Sequence, residues 1–305
     1  MVYLHIMDRL TDDIKSFLES NGFRCSLQMR HGFDVICTRT ADGRQERMIY
    51  PLGIRAETPE EALLVSQHAE YAIRMASREE GGYPLIVAED RWNRQREMME
   101  ARLLAHLELF SQAYARNCEV RRIDKAAARE FLDRNHSYGY ASCKYRYGLF
   151  LKRHTGHIAE EIIANSPEGK GDIGKLIAVA TFSNARRWIK DGREIRSYEW
   201  TRYASLPDMR ISGGMGKLLK AFINETQPDD IMSYADLEWS EGRVYERLGF
   251  KREHNGKEGV SFVIDRQSWT RKATKRTGEA ENESKPLYFR NFGSRKYRLK
   301  LTDYQ

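Results

Sequence analysis

The 305-residue chain is longer than most single domains, so two domains, or one domain with large additions, are expected. Hydrophobic residues make up 41% of it, the proportion of an ordinary globular protein, which excludes a largely disordered chain. Its net charge is +7, and no apolar run approaches the roughly 20 residues that cross a bilayer, so no membrane partner is expected.

The compartment is indicated by the first residues and by the cysteines. The opening "MVYLHIMDRLTDD" has neither a basic n-region nor a small-residue cleavage site, so no signal peptide is predicted and a cytoplasmic location is expected. The cysteines form no CxxC pair, which favours reduced thiols packed as small hydrophobic groups over disulfides or a metal site. They are Cys25, Cys37, Cys118 and Cys143.

Residues 1–112 are predicted to form an accessory α+β domain. Helical spacing of apolar residues over 8–20 stops at Asn21-Gly22, and short strands follow in "FRCSLQ", "FDVICTR" and "ERMIYPLGI". A second helix begins with Thr58 as its N-cap and a proline at the first helical position. The buried strand "YPLIVAED" and the charged helix "RQREMMEARLLAHLELF" complete the domain.

Residues 113–268 are predicted to form a second domain that mixes strands and helices. Strands are expected over 118–123, 145–153, 175–184, 193–204, 230–236, 250–254 and 259–265, and helices over 124–135, 213–226 and 240–248. An insertion after the second strand contains His154 and His157, an HxxH pair without a third ligand, so no metal is predicted.

Residues 269–305 are predicted as a carboxyl-terminal extension that begins with a polar linker. From 266 to 305 there are 11 Lys and Arg against 4 Asp and Glu, a difference of +7 that equals the net charge of the whole chain. Basic side chains alternate there with aromatic rings. This pattern suits nucleic acid, whose phosphates would contact the basic side chains while its nucleobases stack on the rings. The alternative is a terminal strand with a solvated basic face. The candidate nucleic-acid contacts are Arg290, Arg295, Lys296, Arg298 and Lys300.

The turn before the 213–226 helix is rich in glycine. Glycines at this place let backbone amides approach an anion at the positive end of the helix dipole, and a pyrophosphate would suit the turn. The Walker and dinucleotide-binding patterns are both absent. The candidate cofactor-binding residues are Arg210, Ile211, Ser212, Gly213, Gly214, Met215, Gly216 and Lys217.

From about residue 118 to 265 the order of elements resembles the GNAT superfamily of acyl-CoA-dependent N-acyltransferases. Family members bind the pyrophosphate of acyl-CoA on a turn of the form Q/R-x-x-G-x-G/A. The frame that starts at Arg210 keeps the basic residue but has Met215 at the last small position. The frame that starts at Ile211 keeps both glycines and lacks the basic residue.

Many family members also carry a segment NxxAxxLYEKxGF. The chain matches it at Tyr245, Glu246, Gly249 and Phe250, and has Glu238 and Glu241 in place of the asparagine and the alanine. The resemblance implies a mixed, mostly antiparallel central sheet flanked by helices, with a separate amino-terminal α+β domain. It also implies acetyl-CoA or another acyl-CoA as cofactor.

Three residues are candidates for acid–base chemistry. Tyr245 is a phenol that can protonate a departing thiolate; the alternative is a tyrosine that only packs its ring. Asp236 ends the 230–236 strand, where it is a candidate base or, equally, a helix N-cap. Glu199 lies within "SYEWTRYA" and is the second candidate base, or the ion-pair partner of Arg202 or Arg146.

The acceptor side of the family's cleft corresponds to the end of the 124–135 helix. Asn135, His136 and Tyr138 lie there, and with Arg202 they are the candidate substrate-binding residues. The imidazole of His136 suits a base or a substrate ligand, and the alternative is a surface histidine at a helix end.

The segment "SYADLEWSEGRVYERLGF" is similar to phage-borne GNAT-like proteins, including the Mom-like branch that modifies adenine in DNA. The resemblance implies an N-acyltransferase that acts on a nucleobase. An amine of a protein or a small molecule is an alternative acceptor. A non-catalytic nucleic-acid-binding protein with a degenerate GNAT domain is an alternative of another class. The sequence does not indicate an oligomeric state.

The amino-terminal domain resembles small nucleases of the PD-(D/E)xK kind, including very-short-patch-repair-like ones. Such nucleases need two carboxylates around a metal ion and usually a lysine. Asp34 and Glu46 are the candidate carboxylates, but Lys15 is the one lysine before Lys125. A nuclease-like or unrelated accessory domain is therefore expected, and a degenerate nuclease domain would bring the second domain to nucleic acid.

Overall fold

A computed structural model describes residues 9–79, 82–153, 174–190, 192–274 and 286–304. His154, His157 and most of the predicted linker lie outside the described residues. No helix in the described ranges is long and apolar enough to cross a membrane.

The described helices and strands are as follows. The helices are α1 (Arg9–Ser20), α2 (Pro59–Glu79), α3 (Glu89–Arg94), α4 (Arg96–His106), α5 (Lys125–Asn135), α6 (Gly214–Thr226) and α7 (Arg243–Arg247). The strands are β1 (Ser26–Arg30), β2 (Phe33–Arg39), β3 (Glu46–Leu52), β4 (Leu85–Ala88), β5 (Ser111–Tyr114), β6 (Cys118–Arg122), β7 (Tyr145–Leu151), β8 (Leu176–Phe182), β9 (Arg186–Lys190), β10 (Arg193–Ser205), β11 (Met209–Ser212), β12 (Asp230–Asp236), β13 (Lys251–Arg252), β14 (Ser261–Ile264), β15 (Arg271–Ala273), β16 (Leu287–Arg290) and β17 (Ser294–Lys300).

The chain divides into two compact units, each of which is discontinuous in sequence. The amino-terminal unit contains residues 1–109, 235–241 and 256–295. The second unit contains residues 110–234, 242–255 and 296–305. The predicted α+β class, with helices packed on a mixed and mostly antiparallel sheet, is confirmed.

The amino-terminal unit has a four-stranded sheet in the order β1-β2-β3-β4, in which β3 and β4 are parallel. Helix α1 buries Leu10, Ile14 and Leu18 in the hydrophobic core of this unit. Thr58 caps α2, because its hydroxyl accepts a hydrogen bond from the amide of Glu61. A three-stranded sheet in the order β15-β14-β16 belongs to the same unit.

A buried ion cluster joins distant segments of the amino-terminal unit. The guanidinium of Arg271 is 2.5 Å from Asp90 and 2.7 Å from Glu238, and all three side chains are at most 8% exposed. Burial opposes the charge on Glu238, but the adjacent Arg271 outweighs that effect and lowers the pKa of the carboxyl. Two carboxylates thus surround one arginine in an internal structural cluster.

The second unit is organised around a sheet in the order β13-β17-β12-β10-β8-β7-β6, with β9 paired to β10. Aromatic side chains fill one face of the sheet under α6. Phe222 of α6 stacks on Phe182 with their ring centroids 3.9 Å apart, and Tyr145 and Tyr198 pack edge-on against it. Helix α5 packs Ala128, Phe131 and Leu132 in a separate apolar cluster with Val179 and Ala204.

The three described strands of the predicted carboxyl-terminal extension are built into sheets. β15 and β16 pair with β14, and β17 lies between β12 and β13. The rings of Phe289, Phe292 and Tyr297 are at most 8% exposed, so they belong to the protein interior rather than to a surface for base stacking.

Candidate functional site

Strands β10 and β12 run parallel in the second unit but pair over only part of their lengths. Their ladder consists of three residue pairs, Ser197 to Glu199 against Asp230 to Met232. Both strands continue beyond these pairs. A bulge between Trp200 and Arg202 shifts the register of β10 against β8 at the same level. The backbone ladder between the two strands therefore ends where the bulge begins, and the stretch just beyond its last pair is the opening between β10 and β12.

Ser233 lies just beyond the last paired residue of β12. Its hydroxyl is 3.0 Å from the carbonyl oxygen of Trp200 and 2.9 Å from the hydroxyl of Tyr245. The phenol of Tyr245 is thus held at the opening between β10 and β12. Burial raises the pKa of this phenol, so it is protonated at neutral pH.

The short helix α7 positions Tyr245 between two glycines with positive φ. Gly242 precedes the helix with φ of 88°, and Gly249 follows it with φ of 88°, as expected for a C′ residue. A Cβ atom at residue 242 would lie 2.5 Å from the ring of Tyr297. That ring stacks on Tyr245 at a centroid distance of 5.3 Å, so β17 supports the candidate acid.

Glu199 is the last residue of β10 that pairs with β12, and it is partly exposed. Its amide donates to the hydroxyl of Ser183, and its carbonyl accepts from the amide of Ser183, both at 2.9 Å. Alternation along the strand places the carboxylate on the face opposite Trp200. Because Tyr245 packs against Trp200, the carboxylate and the phenol flank the opening from its two sides.

The predicted acceptor residues lie at the end of α5 and in the loop after it. The side-chain amide of Asn135 donates to the carbonyl of Phe131, and Nδ1 of His136 accepts from the amide of Tyr138. Arg202 reaches the same loop, since its Nε donates to the carbonyl of Gly139 at 3.0 Å. The structure therefore brings Arg202 together with the loop after α5.

The glycine-rich turn begins α6 with a glycine of positive φ. Gly213, the N-cap of α6, has φ of 76° and supplies no side-chain cap. The first amides of a helix have no acceptor within it, so those of Gly214, Met215 and Gly216 lie at its positive end. Gly213 is exposed, and the hydroxyl of the exposed Ser212 accepts from Gln112 at 2.8 Å.

Three further predicted cofactor residues take part in internal packing. The ammonium of Lys217 donates to the carbonyls of Ala115 and Cys118, so it is engaged within the second unit. The guanidinium of Arg210 lies 5.1 Å from the ring centroid of Phe110. Ile211 packs so closely on the helix start that a Cβ atom at residue 214 would lie 2.8 Å from its methyl group. Gly214, which is buried, is therefore required for packing.

Asp236 forms a turn at the end of β12. Its carboxylate accepts from the amide of Glu238 at 3.0 Å, and its carbonyl accepts from Trp239 and Ser240. This is an Asx turn and not the helix N-cap that the sequence offered beside the role of base, because Gly242 is the N-cap of α7. Asp236 belongs to the amino-terminal unit, whereas Glu199 belongs to the second unit.

The basic residues of the last strands are held by partners within the chain. Arg298 lies 2.5 Å from Asp230 and 2.5 Å from Glu253, and Lys296 lies 2.6 Å from Glu253. Arg295 donates to the carbonyl of Glu241, and Lys300 donates to that of Tyr304. Arg290 lies on β16 and is partly exposed. Four of the five predicted nucleic-acid contacts thus have bonding partners within the chain.

The two carboxylates proposed for a nuclease centre lie at opposite ends of a hairpin. Glu46 pairs with Arg39, five residues along β2 from Asp34, which corresponds to about 17 Å at 3.4 Å per residue. Asp34 and Glu46 therefore cannot bind one metal ion together. The described ranges contain no group of three or more His, Cys, Asp or Glu side chains placed to hold a metal.

Comparisons with known proteins leave the family unassigned. No model of a protein family matches the chain, and no curated protein sequence matches it. Solved structures with a similar fold include Eis1 from Mycobacterium abscessus, at 16% identity, a TM-score of 0.31 and coverage of 49% of this chain. The chain spans about a third, 34%, of the length of Eis1.

Two further solved structures show a comparable likeness. A GNAT-family acetyltransferase from Bacillus anthracis has 13% identity and a TM-score of 0.29, with 63% of this chain and 98% of that protein covered. A mutant of the toxin AtaT, bound to the carboxyl terminus of the antitoxin AtaR and to acetyl-CoA, has 13% identity and a TM-score of 0.26, with 57% and 93% covered. Similarity at this level assigns neither a family nor a function.

Proposed function

We propose that the second unit is an acyl-CoA-dependent N-acyltransferase of the GNAT type. The observation that carries the proposal is the opening between β10 and β12, where pairing stops after Glu199 and Met232 although both strands continue. We expect the extended thioester arm to lie along this unpaired stretch, beside the bond from Ser233 to the carbonyl of Trp200. The start of α6, which follows β10 and β11 in the chain, supplies amides for the diphosphate of the same ligand.

In the proposed reaction acyl-CoA supplies an acyl group activated as a thioester. Glu199 takes the proton of the attacking amine as the new N–C bond forms, because its carboxylate is partly exposed beside the opening. The bond between the acyl carbon and sulfur breaks, and Tyr245 gives its proton to the departing thiolate. A phenol whose pKa is raised by burial is protonated at neutral pH and can act as this donor. Asp236 is assigned to the turn after β12 rather than to the reaction.

A pair of substitutions at Met215 tests the diphosphate site. Met215 lies in the first turn of α6 and is partly exposed. In Met215→Glu the new carboxylate interacts favourably with the helix dipole, so the melting temperature should stay the same or rise. The same carboxylate repels a diphosphate, and we expect the Kd for acetyl-CoA to rise at least tenfold by calorimetry. Met215→Gln, which adds no charge, is the matched control.

We expect Met215→Glu to keep or raise the melting temperature and to weaken acetyl-CoA binding, and Met215→Gln to leave the binding unchanged. Equal acetyl-CoA affinity in Met215→Glu and Met215→Gln would contradict the assignment of the diphosphate to α6. Failure of the unsubstituted protein to bind acetyl-CoA at millimolar concentration would contradict the proposed function as a whole.

A nucleobase in DNA, as the Mom-like resemblance implies, is the acceptor that we propose first among the amines. One observation in the second unit supports contact with nucleic acid. Strand β9 pairs only with β10 among the described strands, and its five residues, "RRWIK", are all exposed. Trp188 is 41% exposed and Ile189 is 80% exposed beside Arg186 and Lys190, while the third cation of the strand, Arg187, lies 3.2 Å from Glu194. An exposed ring among cations suits stacking on a base next to phosphates.

Pairing of β9 with a second copy of itself is a weaker explanation of the same edge. An antiparallel pair centred on Trp188 would set Arg186 against Lys190, and like charges directly opposite are destabilising. The cations are therefore better matched by phosphates than by another copy of the strand.

Mass spectrometry of nucleosides tests the nucleobase acceptor. DNA incubated with the protein and acetyl-CoA should contain an acylated base, and the yield should fall in the double variant Arg186→Gln, Lys190→Gln. The slope of binding against salt should fall by about 2, one for each phosphate contact removed. Lys300→Gln is the matched control, since Lys300 donates to Tyr304. Acylated protein or small amines with unmodified DNA would favour the alternative acceptors.

A further inference from the structure

A polar row crosses the sheet of the second unit on the same face as Glu199. In the strand registers Arg146 of β7 and Arg202 of β10 both lie opposite Thr181 of β8. Cross-strand partners share one face of a sheet, so the two arginines flank Thr181 on one face. The hydroxyls of Thr181 and Thr201 are 2.7 Å apart, which makes the centre of the row polar as well.

The two arginines are held by carbonyl oxygens of the same loop. Arg202 donates through Nε to Gly139, and Arg146 donates through a terminal nitrogen to Cys143 at 3.0 Å. These bonds fix the positions of the guanidinium groups without neutralising their charges. Glu199 is the carboxylate that acts on Arg202 electrostatically, and it is not within the 4.0 Å of an ion pair.

The donors of these two side chains are only partly used within the described residues. Nε of Arg146 is buried and has no hydrogen-bond partner in this part of the chain. Arg202 uses its Nε and one terminal nitrogen, the second of which donates to the carbonyl of Thr201 at 2.8 Å. Because this nitrogen is buried, a ligand would bind the guanidinium of Arg146 at its terminal nitrogens. Both side chains are partly exposed, so a ligand on this face can reach them.

The charge balance of the face selects for a negative ligand. Around Thr181 two guanidinium groups, Arg146 and Arg202, lie with one carboxylate, Glu199. Farther along the same face Arg121 is paired with Glu119 at 3.0 Å, and Arg298 elsewhere in the same unit has two carboxylates. A polyamine or a lysine-rich peptide would meet a net positive face. A planar guanidinium matches a carboxylate or phosphate through two parallel hydrogen bonds.

We propose that the acceptor carries an anionic group, a carboxylate or a phosphate, beside its reactive amine, and that Arg146 and Arg202 bind this group while Glu199 receives the proton of the amine. The inference rests on the proposed acyltransferase function and names the acceptor class of the same site. Arg202 was a candidate substrate-binding residue from the sequence, whereas Arg146 is identified as one by its position opposite Thr181 in the strand register.

Matched pairs of acceptors test the proposal with the full chain. Release of CoA from acetyl-CoA is measured with adenosine 5′-monophosphate against adenosine, and with β-alanine against β-alaninamide. The member that carries the anion should have a KM lower by at least tenfold, and the pair that responds distinguishes a phosphate source from a carboxylate source. If neither anionic member is acylated, the KM of the best neutral amine is measured with and without inorganic phosphate as a competitor.

Substitutions then locate the effect. Arg146→Gln and Arg202→Gln should each raise the KM for the anionic acceptor about tenfold, equal to about 1.4 kcal/mol, and leave the Kd for acetyl-CoA unchanged. Arg146→Lys and Arg202→Lys should recover part of the loss, because lysine keeps the positive charge. The recovery should be incomplete, because lysine cannot donate the two parallel hydrogen bonds of a guanidinium. Arg78→Gln, an exposed position of the amino-terminal unit, is the control for the same change in charge.

The outcomes separate this inference from the proposed function. Binding of acetyl-CoA together with equal KM values within both acceptor pairs, no competition by phosphate and no response to the arginine substitutions would overturn the anionic acceptor and leave the acyltransferase intact. Absence of acetyl-CoA binding would overturn the proposed function itself.

Discussion

Two groups of arginines in the second unit differ in how their charges are matched. Arg298 on β17 lies 2.5 Å from both Asp230 and Glu253, and its side chain is only 11% exposed. Arg146 and Arg202 donate to backbone carbonyls instead, and no carboxylate within the described ranges lies within 4.0 Å of either. Neutralised arginines hold a sheet together, whereas arginines positioned by neutral acceptors keep their charge for a ligand.

The largest expected effect is at Glu199, which lies on the same face as Arg146 and Arg202. Glu199→Gln keeps the shape of the side chain and removes the base, so kcat should fall by about 10³, within the range for general base catalysis. The melting temperature should change little, because the strand bonds of residue 199 are made by its backbone. CoA release at saturating acetyl-CoA measures the rate. A kcat within threefold of the unsubstituted protein would exclude Glu199 as the base.

Substitution of Arg298, whose charge is matched by two carboxylates, should lower the stability of the protein rather than the rate of the reaction. Arg298→Gln leaves Asp230 buried without its cation, which should cost about 3 kcal/mol of unfolding free energy. Urea denaturation measures this loss, and the kcat of the folded variant should be retained at low temperature. A selective loss of kcat without a loss of stability would show that the two arginine groups are not distinguished by their partners.

Tyr245→Phe is expected to lower kcat by about 100-fold, because a proton donor is removed from the opening between β10 and β12. The hydroxyl of Ser233 keeps its bond to the carbonyl of Trp200, so the fold should be maintained. In the unsubstituted protein burial raises the pKa of the phenol, so no loss of rate through its deprotonation is expected at neutral pH. Burst and steady-state assays of thiol release check both points.

The smallest expected effect is on the stability of the folded protein at acid pH. Burial opposes the charge on Glu253, but hydrogen bonds from Arg298 and Lys296 outweigh it, so the pKa of this carboxyl is lowered. Its contribution to stability is therefore complete above the unfolded value of about 4.3 and is lost as the pH falls through the lower folded value. Arg298→Gln should reduce this acid-dependent loss, by less than about 1 kcal/mol because Glu253 is partly exposed. Urea titrations at several pH values measure the difference.

Local patterns in the sequence predicted most elements of the second unit. The 230–236 strand is observed over Asp230–Asp236, and the 213–226 helix over Gly214–Thr226, because apolar spacing and the glycine turn define them locally. The 240–248 helix is shorter than predicted, Arg243–Arg247, since Gly242 with its positive φ begins it later.

The same local patterns could not predict contacts between residues that are far apart in the sequence. The alternation of Tyr297 and Leu299 indicates a strand, but nothing near them in sequence shows that β17 enters the sheet between β12 and β13. The same limit explains Arg146, which joins the acceptor face only through its register with Thr181. It also explains Lys217, whose ammonium is engaged by carbonyls about 100 residues earlier in the chain.

A structure of the protein determined with acetyl-CoA is the most direct measurement of where the thioester binds. The expected result is a diphosphate at the amides of Gly214, Met215 and Gly216, with the thioester between β10 and β12 and its sulfur near the hydroxyl of Tyr245. A ligand bound at another face, or a complex in which Ser233 and Tyr245 keep β10 and β12 closed to it, would contradict this assignment.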